Sequence, residues 1–354
     1  MKIKSVRAYS KTLALKRPYT ITRSTIDHSE NVFFEVTLEN GLKGIGAACT
    51  DPAVVRETAA QTMKHLQSEA VAKLVGSDIR QFLFLISTYR SLYPSFPGTL
   101  AAIDIALHDA FAQFLGIPVV DFYGRVHKKM ITSVTIGIKD VVATLEEAQE
   151  YYAAGFRALK IKTGLDAETD AERIIKLREI YGNHFLIRVD ANTGYDVAQL
   201  YHFLYRTVDQ NVELIEQPFL PAMDEELLAF PVATRLLIAA DESLKDARSA
   251  LELARLRPFG IFNIKLMKCG GISGALEIAT IAKQADISLF WGCNDESSIS
   301  ITAALHAAFA CGHTRYIDLD GSLDLVEDVI YGGFIVEDGY MFPNNKPGLG
   351  LNRY

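Results

Sequence analysis

From residue 133 onward the chain alternates short apolar runs with longer stretches whose apolar positions recur at helical spacing. The runs are 134–138, 159–162, 185–190, 212–216, 236–240, 261–265, 287–292 and 316–319, with helical patterns such as 145–154 and 167–181 between them. Eight runs about 25–28 residues apart match the size of a βα unit and predict a closed barrel rather than an open sheet. No clear helix follows residue 323, so the barrel reads as (β/α)7β, and the Gly-rich tail reads as short strands and turns.

The first part of the chain has a different pattern. Residues 2–10 alternate polar and apolar, and runs at 31–38 and 42–48 flank Glu39-Asn40-Gly41, which together predict a three-stranded antiparallel sheet. The polar segment 16–29 reads as a long loop between the first two strands, and loops of that length are usually functional or disordered. Helical spacing over 52–115, broken at Gly76-Ser77-Asp78 and at 94–98, predicts three helices. The fold class is therefore α/β: an α+β domain at 1–125, a (β/α) barrel at 126–322, and a segment at 323–354 that packs back on the first domain.

Composition narrows the function classes. The 354 residues are 49% hydrophobic and 22% charged, enough for a large core, and the net charge of −7 leaves no basic stripe for a nucleic acid. A small-molecule partner is the expectation. No stretch is long and apolar enough to span a membrane, and the first ten residues lack a signal-type apolar core, so a cytoplasmic setting is expected. Cys49, Cys269, Cys293 and Cys311 are widely spaced, as in a reducing compartment.

Candidate chemistry lies at the carboxyl ends of the predicted barrel strands, where such barrels place their active sites. Lys160 and Lys162 share one face of the second strand, and mutual repulsion is expected to lower both pKa values. Asp190, Glu216 and Asp241 end the next three strands, about 25 residues apart. Each acid could instead cap a following helix, a common role for Asp but a poor one for Glu216 before Gln217-Pro218. Three convergent carboxylates need a cation, and hard oxygen donors suit Mg²⁺ better than Zn²⁺. Lys265 ends the sixth strand and faces Lys162 across the mouth, which suits a pair of bases, whereas Lys268 falls past the strand end and reads as structural. His108, His202 and His306 read as ordinary helix residues, and Gly41-Leu42-Lys43-Gly44-Ile45-Gly46 as a hairpin turn, not a dinucleotide fingerprint.

Taken together, LKIKTG, RVDAN, ELIEQP, AADES and NIKLMKCGGIS resemble the motifs of the enolase superfamily, muconate-lactonizing subgroup, over essentially the whole chain. The resemblance implies a capping domain over the barrel, Mg²⁺ held by Asp190, Glu216 and Asp241, and proton transfer beside a carboxylate through an enediolate by Lys162 and Lys265. It further implies carboxylate contacts from Lys160 and Asn192, and a homo-oligomer. Asp318 and Asp320 share a strand face at the eighth strand and resemble the pair with which dipeptide epimerases hold the substrate ammonium group. The implied reaction is epimerisation of an L,L-dipeptide at the α-carbon of its carboxyl-terminal residue. An N-acylamino acid racemase, a cycloisomerase, and an inactive carboxylate-binding protein on the same barrel stay open. Substrate contacts are expected from Thr135, from Cys293, Asn294 and Asp295, and from a cap loop where Ser24 stands at the arginine position of Ala-Glu epimerases, with Arg23 beside it. That departure tells against an acidic second residue, as does Asp295, and together they favour a small first residue and a neutral, hydrophobic second one.

Overall fold

A computed structural model describes residues 1–22 and 25–353. Three strands open the chain, β1 (Ile3–Thr20), β2 (Thr25–Leu38) and β3 (Lys43–Cys49), in an antiparallel sheet of that order. The segment 16–29 is not a loop. β1 and β2 run as one long hairpin from Ile3 opposite Leu38 to Thr20 opposite Thr25, with a register shift between Ala14 and Tyr19. Across that shift β1 bonds to the far end of the chain instead: Lys16 N–H donates to Asp324 O at 2.7 Å, and Val326 N–H to Ala14 O at 2.9 Å. Buried Leu13 and Leu15 carry the two-residue alternation into this segment, and the polar residues around them hide it.

The sheet packs on the helix Pro97–Leu115, whose residues 98–110 are all buried. Such a helix, apolar around most of its circumference, belongs inside a core. β3 approaches it closely because Gly44 and Gly46 lack side chains; a Cβ on Gly46 would overlap the Ala102 carbonyl. Shorter helices, including Ala59–Leu66 and Phe82–Leu92, complete this layer, so the expected three helices are more finely divided.

A short strand, β4 (Met130–Ile131), leads into eight parallel strands: β5 (Val134–Ile136), β6 (Ala158–Lys162), β7 (Leu186–Asp190), β8 (Val212–Glu216), β9 (Ile238–Ala240), β10 (Ile261–Ile264), β11 (Ser288–Trp291) and β12 (Thr314–Ile317). They are hydrogen-bonded in chain order, and the sheet curls until its ends meet: Thr132 bridges Ile317 and Ser133 N–H donates to Ile317 O at 3.3 Å. The predicted strands are all present, most a residue or two shorter. The register sets Lys162 beside Asp190 and Asp190 beside Glu216, one row across three strand ends.

Among the described residues no helix follows β12. The tail forms β13 (Ile330–Gly332), β14 (Phe334–Glu337), β15 (Tyr340–Pro343) and β16 (Leu351–Arg353); β14 and β15 pair with each other and β15 with β4. Gly348 then bonds Ile117 and Val119, and Leu349 N–H donates to Asp109 Oδ1 at 2.8 Å, fastening the tail to the first layer of helices. No described helix is long and apolar enough to cross a membrane, and all four cysteines are free.

Candidate active site

Two connected cavities open at the carboxyl ends of the barrel strands, of about 640 Å³ and about 240 Å³, sharing Tyr19, Lys162, Cys293, Asn294 and Asp295 in their walls. Lys162 and Lys265 both line the larger one, as do Asn192 and Asp241. Thr135, Lys160, Asp318 and Asp320 line the smaller. Asp190 and Glu216 are fully buried. Arg23 and Ser24 lie outside the described residues.

Lysine and carboxylate are interleaved. Lys162 Nζ donates to Asp190 Oδ2 at 2.7 Å and to Asn192 Oδ1 at 3.0 Å. Lys160 Nζ lies 2.9–3.1 Å from Asp190 Oδ2, Glu216 Oε2 and Asp318 Oδ2. Lys265 Nζ donates to Asp241 Oδ2 at 2.8 Å. Among the described residues no three His, Cys, Asp or Glu side chains are grouped as a ready metal cage; the ammonium groups occupy the space between the acids.

Each acid has its other oxygen held by a different donor. Asp190 Oδ1 accepts from Asn192 N–H at 2.9 Å, Glu216 Oε1 from Asn263 Nδ2 at 2.8 Å, and Asp241 Oδ1 from Lys268 Nζ. Lys268, which read as structural, thus touches the site directly. Asn263 was not foreseen at all, although its position two residues before Lys265 on one strand face was a usable signal.

The charges decide the ionisation states. Burial alone would lower the Lys160 pKa, but Asp318, Glu216 and Asp190 outweigh it and raise it well above the ordinary lysine value. Lys265 is raised in the same way, against burial, by Asp241 and Glu216. The expected lowering of the Lys160 pKa by its neighbour is therefore overturned: carboxylates at contact distance outweigh a second lysine. Burial and Asp190 push Glu216 up to about 8, and its Oε2 receives no well-directed hydrogen bond. Asp190 goes the other way, to about 2, because Lys162 and Lys160 more than offset its burial.

Asp318 and Asp320 differ. Asp318 is committed to Ser133 Oγ at 2.5 Å and Lys160 at 2.9 Å. Among the described residues the Asp320 carboxylate accepts the Thr135 N–H, at 2.8 Å, and a weak contact from Cys293. Burial and Asp318 push it up to about 8. Beyond it the smaller cavity carries Glu147, Glu150 and Asp324, none anticipated, alongside Lys16 and Arg17. In the larger cavity Asp295 accepts from Tyr19 OH at 2.8 Å and is pushed by burial to about 6.

Comparison with known proteins bears on this geometry. Residues 3–124 match the family model for the mandelate racemase / muconate lactonizing enzyme N-terminal domain, and residues 143–353 that for enolase C-terminal domain-like proteins. The chain is 50% identical over 354 residues, all of both chains, to an L-Lys-D/L-Arg epimerase of Desulforapulum autotrophicum. It superimposes over the whole of both chains, with a TM-score of 0.97 and 46% identity, on a dipeptide epimerase of Methylococcus capsulatus crystallised with Mg and the dipeptide L-Arg-D-Lys. A dipeptide epimerase of Enterococcus faecalis, crystallised with Mg and L-Leu-L-Tyr, matches over both full chains with a TM-score of 0.93 and 32% identity.

Proposed function

Because the chain belongs to the enolase superfamily, by way of both its mandelate racemase / muconate lactonizing enzyme domains, we propose that it is a Mg²⁺-dependent epimerase of cationic dipeptides. Lys162 and Lys265 would exchange the α-proton of the carboxyl-terminal residue. The observation that carries this reading is the division of oxygens among the acids. Asp190, Glu216 and Asp241 each give one oxygen to a neighbouring donor, Asn192, Asn263 or Lys268, and the other to the ammonium group of Lys162, Lys160 or Lys265.

The residues present fit a hard divalent cation. The donor set is all carboxylate, and Glu216 Oε2 is buried without a directed hydrogen-bond donor. Asp190, Glu216 and Asp241 would hold Mg²⁺, whose positive charge, next to the substrate carboxylate, makes the α-proton removable.

The lysines supply the proton transfers. Lys162 ends the second of eight barrel strands, Lys265 directly follows the sixth, and both line one cavity, so a carbon held between them presents opposite faces to the two side chains. One lysine, in its neutral form, takes the proton and the other, protonated, returns one to the opposite face, which inverts the centre. Lys160 and Asn192 hold the carboxylate side. Asp318 and Asp320 receive the α-ammonium group, with Asp320 the acid not already committed to a lysine.

The wall chemistry favours cationic side chains over the small first residue and neutral second residue expected from Ser24. Glu147, Glu150 and Asp324 line the smaller cavity with Asp320; Glu147 and Glu150 are paired with Arg17, which leaves Asp324 and Asp320 as the acids for the first side chain, while Asp51, Glu242 and Asp295 line the larger cavity for the second. An anionic side chain would meet Asp320 and Asp324 in the smaller cavity and Asp295 and Glu242 in the larger. The relatives named for Lys and Arg dipeptides are consistent with this choice.

The test is a library of L,L-dipeptides and N-acylated amino acids incubated with the protein and Mg²⁺ in D₂O and read by mass spectrometry. Deuterium uptake should be greatest for pairs of Lys and Arg. Uptake confined to N-acylated amino acids would favour a racemase, and no uptake anywhere would leave only a binding protein.

A further inference from the structure

Of the three donors that hold the acids' second oxygens, Asn263 is the one whose presence needs the most explanation. It is fully buried on β10 between Phe262 and Ile264, where the strand is otherwise apolar. Its Nδ2 donates to Glu216 Oε1 at 2.8 Å, while its Oδ1 has no hydrogen-bond partner among the described residues. The orientation follows from charge: turned over, the amide would set Oδ1 against a carboxylate oxygen and leave the NH₂ unpaired. Room for the amide comes from Gly292, just after β11, where a Cβ would lie 2.6 Å from Asn263 Oδ1. A buried amide satisfied on one side only, in a niche cleared by a glycine, is a poor way to fill a core and a good way to aim one carboxylate.

We propose that Asn263 is a positioning residue that fixes the Glu216 carboxylate and thereby sets the affinity of the acid triad for Mg²⁺. Its hydrogen bond holds Oε1, which leaves Oε2 for the cation. Without it the carboxylate is free to turn on Lys160, whose Nζ lies 2.9 Å from Oε2 and competes for that oxygen. Asn263 is neutral, so its removal changes geometry without changing the charge of the site. This rests on the reading that Glu216 is a Mg²⁺ ligand.

The experiment measures Mg²⁺ binding by titration calorimetry on the full chain after chelation, for the wild type, Asn263→Ala, Gly292→Ala and Glu216→Gln. Melting of the metal-free proteins checks that each is folded. Asn263→Ala should bind Mg²⁺ roughly 10–100-fold more weakly. Gly292→Ala, which presses on the amide without altering its chemistry, should weaken binding in the same direction and decides the matter if Asn263→Ala does not fold. In turnover, the Mg²⁺ concentration for half-maximal rate should rise by a similar factor, with kcat recovered at saturating Mg²⁺. Wild-type affinity in folded Asn263→Ala, with binding lost in Glu216→Gln, would overturn the role of Asn263 alone. Equal binding by the wild type and Glu216→Gln would overturn the ligand reading beneath it.

Discussion

Replacing Asp320 with Asn isolates the part of the site that reads a free α-ammonium group. The amide keeps an acceptor for the Thr135 N–H now bonded at 2.8 Å and removes only the charge. Asp318 is already neutralised by Lys160, so Asp320 is the acid whose charge a substrate cation would meet. A pair of unit charges about 4 Å apart at an effective dielectric near 20 is worth about 4 kcal/mol. Ionising Asp320 at pH 7 against a pKa of about 8 takes back about 1.4 kcal/mol. The difference, about 2.6 kcal/mol, corresponds to a loss of roughly 80-fold in kcat/KM for a free dipeptide. The assay compares Lys-Arg with its N-acetyl derivative by polarimetry in both proteins. The acetylated substrate has no ammonium group, so its slow turnover should change by no more than about 3-fold. Equal losses on both substrates, or a loss below about 3-fold on the free dipeptide, would refute the assignment.

Other regions make separate predictions. Asp324→Asn should reduce the preference for Lys or Arg over Ala at the first position by roughly 10-fold in kcat/KM, about one charge-assisted contact, measured by competing the two dipeptides in one tube. His306 is fully buried, with its pKa lowered to about 3 by burial and by Arg125. The unfolded chain binds that proton more readily, so the associated stability is complete above about pH 6.5 and falls away toward pH 3, by about 5 kcal/mol in all. In His306→Asn, which can still accept from Val120 N–H, the slope of unfolding free energy against pH should drop by about 1.4 kcal/mol per unit over that window in urea titrations; an unchanged slope would remove the assignment. Gly46→Ala forces a Cβ onto the Ala102 carbonyl and should destabilise the protein by about 1–3 kcal/mol, read as a lowered Tm.

What could be read in advance followed from periodicity. Residues that end successive strands of one barrel must share its mouth, so Lys162, Asp190, Glu216, Asp241 and Lys265 were recognisable from spacing, and the register places the first three side by side. Glu147 and Asp324 were not, because a helix and an irregular loop bring them to the cavity through tertiary packing that no local pattern encodes. β1 was cut short because its second half pairs partly with the segment 324–326, hundreds of residues away in the chain. The sign of the Lys160 shift was missed for an energetic reason: one neighbouring lysine was counted and three acids at 2.9–3.1 Å were not.

The central claim is that two lysines serve opposite faces of one carbon. Lys162→Ala and Lys265→Ala, each incubated with Mg²⁺ and separately with the L,L and L,D forms of a Lys-Arg dipeptide in D₂O, test it most directly. Each variant should lose epimerisation altogether. Any α-deuterium exchange that survives should be confined to one epimer, and to opposite epimers in the two variants. Epimerisation at the wild-type rate in either variant would contradict the account.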